Sequence, residues 1–126
     1  MINIEKKIFD NQKIENQKIE NTRYLDCSIN FADFNGSSFT NSELINCNIK
    51  ESDFSKTNFD NCSAKNNICF FSNMSQSIFS KCNLDKFDLK DGNLDHSKLI
   101  DTIIINSSLR GKCIKNSILK RITFEN

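Results

Sequence analysis

Six cysteines, one histidine and a scatter of carboxylates are the residues of this 126-residue chain that could do chemistry. Cysteines can form disulfides, hold metals or act as nucleophiles. Here Cys27 and Cys47 lie 20 apart, as do Cys62 and Cys82, with Cys69 and Cys113 alone. No Cys-x-x-Cys occurs, the close spacing by which zinc sites are usually built. His96 is the single histidine, and the sequence supplies no base or acid to pair with it. Asp33 and Asp53 could form a carboxylate pair only if the fold stacks residues 20 apart, and solvated faces often carry such pairs. No glycine-rich phosphate loop is present. The expectation is a protein that is not an enzyme, with no catalytic residues, no metal site and no cofactor.

The spacing of the cysteines points back to the elements that must position them. In "NSELINCNIKESDFSKTNFDNC", residues 41–62, the apolar residues Leu44, Ile49, Phe54 and Phe59 recur every fifth position. A strand repeats its faces every second residue and a helix every 3.6. Stepping by five from Ile4 to Phe124 meets 25 positions, all apolar, in a chain that is 37% hydrophobic. Chance agreement is on the order of 10⁻¹¹ when the matches are counted this way. Two residues before each of these, from Thr22 onward, stands a small residue, except at Asn67, Phe87, Lys112 and Ile122. The residues between are mostly Asn, Asp, Ser, Lys and Glu. A period of five without interruption means a repeat architecture in which each unit buries its one large side chain only by stacking.

The pattern resembles the pentapeptide repeat family, whose unit reads roughly Ala-(Asp/Asn)-Leu-x-x; "SDFSK" and "CNLDK" match it closely. The resemblance implies an all-β fold, a right-handed quadrilateral parallel β-helix with one pentapeptide per side and 20 residues per coil. Residues 22–126 then form about five coils, a rod of roughly 25 Å at the ~4.8 Å spacing of neighbouring strands. Residues 1–21 keep the large position but place Lys7, Gln12 and Gln17 at the small one. They are expected to form an irregular first coil or N-terminal cap, with a short amphipathic helix as the alternative. Position n stacks under n+20, so Asn21, Asn41 and Asn61 form one corner ladder and Asn46 and Asn66 another. Cys27, Cys47, Cys62 and Cys82 fall on small inward positions and Cys69 on a large one, where reduced thiols act as apolar fillers. Only Cys113 is expected to face outward. Ala64 and Cys69 are small members of the large series, and Phe87 is expected to fill the space they leave.

The surface offers two candidate sites. Ile68, Phe70 and Phe71 point outward, with Phe31 two coils below Phe71 and Ile103 and Ile105 on the neighbouring face; exposed apolar groups of this kind can mark contact sites. Glu15, Asp33, Asp53 and Asp95 fall on one face as an acidic stripe, away from Lys50, Lys90 and Arg110. The balance of 17 Lys and Arg against 16 Asp and Glu, a net charge of +1, argues against direct nucleic-acid binding. No signal-peptide pattern and no membrane-length apolar run is present, so a cytoplasmic location is expected. A rigid protein-interaction scaffold is the first reading, with a protein as partner and no membrane contact. "KIENTRYLDCSINFADFNGSSF" is similar to the opening of the Qnr and MfpA branch. That resemblance implies the alternative, binding of DNA gyrase or topoisomerase IV by DNA mimicry, related to quinolone resistance. Against it stand the net charge and the lack of the projecting loops and C-terminal helix of that branch. Leu109, Ile114, Leu119 and Phe124 would leave an apolar end ringed by Lys112, Lys115, Lys120 and Arg121. A monomer, or a weak head-to-head dimer as salt screens those charges, is expected.

Overall fold

The structure, a computed structural model, describes residues 1–108 and 116–125. The chain winds as a parallel β-solenoid with four walls per turn. The first wall is a seven-stranded sheet of Ile2–Glu5, Thr22–Leu25, Glu43–Ile45, Ser63–Ile68, Asn83–Asp88, Ile103–Ile105 and Thr123–Glu125. The fourth is a six-stranded sheet of Lys18–Glu20, Ser38–Thr40, Asn58–Asp60, Ile78–Ser80, Lys98–Ile100 and Ile118–Lys120. The strands Ser63–Ile68 and Asn83–Asp88 run past the corners at Asn66 and Lys86 into the second wall, where Asn67 pairs with Phe87 and Ile68 with Asp88; elsewhere the second and third walls are joined by single bridges, such as Ser28 with Asn48 and Asp33 with Asp53. Every pairing is parallel and joins n to n+20, as the five-residue period demands.

The solenoid makes about six turns rather than five. Residues 1–20 supply the additional turn: Ile2 pairs with Thr22, Ile8 with Ser28, Lys13 with Asp33 and Lys18 with Ser38. This stretch is built of strands and bridges in the common register, so its sequence irregularity lies in the side chains and not in the backbone path. Ile4, Phe9, Ile14 and Ile19 are half-buried, and Lys7, Gln12 and Gln17 stay exposed. The long polar groups at the small position are therefore not taken into the core.

Among the described residues, each corner is turned by a residue at positive φ, between 50° and 62° at the non-glycine positions and 72° at Gly36. Left-handed backbone disfavours most side chains and is tolerated best by Gly, Asn and Asp. That preference fits the 12 Asn and Asp among these 22 non-glycine corners, the other ten being Lys, Arg, Glu, Gln, His and Phe. Corner side chains then bond along the stack: Asn61 Nδ2 donates to Asn41 Oδ1 (2.8 Å), Asn66 Nδ2 to Asn46 Oδ1 (2.9 Å) and Asn46 Nδ2 to Asp26 Oδ1 (3.2 Å).

Inside, the large residues stack in columns. Phe34 and Phe54 lie face to face with centroids 4.9 Å apart, continuing through Met74 and Leu94. Phe39, Phe59 and Phe79 stack at 5.1 and 4.7 Å, continuing to Leu99. The small positions do more than save space. Ser52 Oγ accepts from the Ala32 N–H (3.2 Å) and donates to the Ile29 carbonyl, tying its coil to the one below. Asn67 performs the same double duty with a longer side chain: Oδ1 accepts from Cys47 N (2.8 Å) and Nδ2 donates to Leu44 O (2.8 Å). Its presence among small residues is thus a hydrogen-bonding substitution for Ser. Phe87 is buried beside Ala64, yet a void of about 20 Å³ persists there, also lined by Cys62, Cys82 and Leu84.

Candidate interaction surface

The aromatic candidates sit where the backbone resists them. Of the non-glycine corner residues at positive φ, all are polar except Phe31 (φ 55°) and Phe71 (φ 59°). They are 56% and 57% exposed, in one column with Glu51 between them. Phe70 precedes the Phe71 corner and is half-buried, with Lys90 Nζ 5.9 Å above its ring. Ile68 is exposed on the second wall, bridged in series through Asn48 and Ser28 to the exposed Ile8. Ile68, Phe70 and Phe71 thus form one local group in a single coil, and Phe31 stands two coils away, ~10 Å at the spacing of neighbouring strands. Ile103 is exposed and Ile105 half-buried, both on the first wall and almost two coils further along the chain. The fold leaves these two apart from the aromatic group.

The acidic candidates occupy the third wall, on the far side of the Phe31 corner. Asp33 and Asp53 are bridge partners, and the next members of their column are Asn73 and Asn93. Each caps its own turn: Asp33 Oδ1 accepts from Asn35 N (2.9 Å), Asp53 Oδ1 from Ser55 N (2.8 Å), Asn73 Oδ1 from Ser75 N (3.0 Å) and Asn93 Oδ1 from Asp95 N (2.8 Å). Acid and amide do the same structural work here, an Asx turn. A hydrogen bond to Asp33, then the charges of Asp33 and Asp53, hold the Glu15 carboxyl above its usual value. Asp95 shares the Glu15 column, but Asn35, Ser55 and Ser75 separate the two. The negative charge is concentrated at the Glu15, Asp33 and Asp53 end.

The residues singled out for chemistry are dispersed. His96 is an exposed corner residue. Cys27, Cys47, Cys69 and Cys82 are buried and Cys62 is half-buried, each as a free thiol. Their sulfurs stand in for the Ser hydroxyl: Cys47 Sγ donates to Tyr24 O (3.5 Å) and Cys82 Sγ to Phe59 O (3.4 Å). Cys113, Arg110, Lys112, Lys115, Leu109 and Ile114 lie outside the described residues. Among the described residues no group of three or more His, Cys, Asp or Glu could hold a metal ion. The positive-φ corners, which make Phe31 and Phe71 unusual, escape a reading of periodicity alone; the excess of Asn and Asp every fifth residue was the available signal.

The pentapeptide repeat family model matches residues 26–63 in 8 copies. A sequence comparison with curated proteins finds no match. Among solved structures, the chain is similar to trypsin-treated QnrB1, a plasmid-mediated fluoroquinolone resistance protein, with a TM-score of 0.69 and 16% identity, over 98% of this chain and 70% of that one. It is also similar to a pentapeptide repeat protein from the thylakoid lumen of Arabidopsis thaliana, with a TM-score of 0.46 and 14% identity, over 88% of this chain and 60% of that one. The first likeness places the fold among pentapeptide repeat solenoids.

Proposed function

We propose that this pentapeptide repeat protein is a rigid, non-catalytic scaffold of the cytoplasm that binds another protein through aromatic side chains carried on its corners. The observation that supports this reading is the placement of Phe31 and Phe71. An L-residue in the left-handed region costs roughly 1–2 kcal/mol, a cost that Asn and Asp lessen by local hydrogen bonding. A half-exposed Phe at such a corner gains little burial to offset that cost. Aromatic residues are, however, what protein interfaces favour at their centres. The stacked coils hold both rings at a fixed separation on a surface that needs no ordering before it binds. Photo-crosslinking from a benzophenone residue at position 71 tests this reading. It predicts one protein partner whose capture is lost when Phe31 is changed to Asn; capture unaffected by that change sinks it.

A second reading is topoisomerase binding by DNA mimicry. What favours it is the Glu15, Asp33 and Asp53 cluster, where a hydrogen bond to Asp33 and then the charges of Asp33 and Asp53 raise the Glu15 pKa. A gyrase supercoiling assay with and without the protein tests it: inhibition supports the reading, and unchanged supercoiling at micromolar protein rejects it.

A further inference from the structure

Cys62 and Cys82 occupy the same position in neighbouring coils. Their chain neighbours pair in register on both sides, Asp60 with Ser80 and Ser63 with Asn83. Strands so paired lie ~4.8 Å apart, inside the range of Cα separations that a disulfide spans. Both sulfurs face inward from the small position, with Cys62 Sγ 3.3 Å from Phe39 O and Cys82 Sγ 3.4 Å from Phe59 O. The second stacked pair, Cys27 and Cys47, has both thiols sealed in the core at 3% and 2% exposure. The Cys62 pair differs because Cys62 is half-buried. Cys62 lies on an open groove along the corner between the fourth and first walls, together with Asn61, Lys81, Asn83 and Asp101, while Cys82 beside it is buried at 3% exposure. The void left by Ala64 adjoins the same two sulfurs from inside.

We propose that Cys62 is a site of oxidation by hydroperoxides, and that Cys82 resolves it into a disulfide linking neighbouring coils. The chemistry follows from what each sulfur touches. The two stacked thiols influence each other: Cys82 holds the Cys62 pKa below the ordinary thiol value, and Cys62 together with burial pushes Cys82 up. The thiolate, the form that attacks, is therefore carried by the more exposed member. Its sulfur attacks one oxygen of hydrogen peroxide, the O–O bond breaks, and hydroxide leaves and takes up a proton as water. Cys62 is now a sulfenic acid. The Cys82 sulfur gives up its proton and attacks Cys62, the S–O bond breaks, and a second water leaves. Two thiols lose two electrons to one peroxide, which is reduced to two waters. Cys47 and Cys69 cannot compete, because burial raises both, Cys47 to about 12. This inference is independent of the proposed scaffold role.

The test uses folded full-length protein carrying Cys113→Ser, treated with a small excess of hydrogen peroxide and read by intact mass and by non-reducing tryptic mapping. Lysines at 56, 65, 81 and 86 release the two cysteines on separate peptides, 57–65 and 82–86, so their linkage is read directly. The expected result is a loss of two hydrogens, reversed by dithiothreitol, with those peptides joined. Cys62→Ser should abolish the change. Cys82→Ser should leave a sulfenic acid at Cys62 that a cyclic 1,3-dione traps. Serine occupies this position in other coils, so both variants retain the fold. Oxidation that persists in Cys62→Ser, appears first in the 24–50 peptide, or occurs only after unfolding would overturn the proposal.

Discussion

At a corner of this solenoid the backbone sets the terms and the side chain must accept them. Asn accepts positive φ readily and reaches the corner of the next coil, as Asn61 does to Asn41; Phe does neither. Phe71→Asn is therefore expected to raise stability by roughly 1 kcal/mol, read as a higher urea midpoint, while weakening partner binding. A midpoint that falls would mean that the Phe71 ring stabilises the fold in ways its exposure does not reveal. The corners were legible as turns in the sequence because Asn and Asp replace Gly and Pro there. That two of them seat an aromatic at an unfavourable dihedral was not, since spacing assigns a residue to a corner without assigning its φ. The thiols differ by the same residue-level logic. As pH rises, alkylation of Cys62 by iodoacetamide should reach half its maximum below the usual thiol pKa, because its stacked neighbour Cys82 holds the Cys62 pKa down. Cys47, pushed up to about 12 by burial, should stay unmodified in the native protein across the same range. Peptide mapping across a pH series reads both, and equal labelling of the two would contradict the assigned environments.

Within one coil, two inward positions do different kinds of work. The large position supplies burial, and Phe54, 1% exposed and stacked on Phe34, is its centre. Phe54→Ala should cost ~3–5 kcal/mol, the range for a buried aromatic that leaves a cavity. The small position looks from periodicity like a place for any small side chain, and alanine at Ala32 fits that view. The hydrogen bonds show otherwise at Ser52, which satisfies the buried N–H of Ala32 and the carbonyl of Ile29 together. Ser52→Ala keeps the volume and leaves the Ala32 N–H unpaired, so a loss of ~1–3 kcal/mol is expected in urea titration. No loss would reduce the position to a steric one. This is where reading the sequence reached its limit. The period showed which side chains face inward, but Asn67 looked like a packing exception because its backbone hydrogen-bond partners, one a full coil away and one three residues beyond that, leave no trace in the side-chain pattern. The void beside Ala64 has a similar origin: Phe87 was legible as the compensating residue, and how completely it fills the space depends on rotamers.

Across the whole molecule the aromatic corner and the acidic wall are neighbours, so one partner could touch both, and salt separates their contributions. The chain carries a net charge of +1. Its only concentrated charge among the described candidates is the Glu15, Asp33 and Asp53 group. Charge-led binding between exposed groups weakens as ionic strength rises, because the Debye length falls from about 10 Å at 0.1 M to about 3 Å at 1 M. Binding through buried aromatic area lacks that dependence and is held by its off-rate. The scaffold reading therefore predicts an affinity that changes little across a salt series, a faster off-rate in Phe31→Asn and Phe71→Asn, and little effect of removing the carboxylates. The DNA-mimic reading predicts the reverse. The fold supplies clean variants for this comparison: Asn73 and Asn93 already make the same turn as Asp33 and Asp53 in the coils above. Asp33→Asn and Asp53→Asn should thus remove charge and preserve every turn, with unchanged urea midpoints as the control. Surface plasmon resonance across salt, with the wild type and these four variants against the crosslinked partner, reads the outcome. A steep loss of affinity with salt, reproduced at low salt by the two Asp→Asn changes and untouched by the Phe changes, would displace the aromatic corner as the binding determinant.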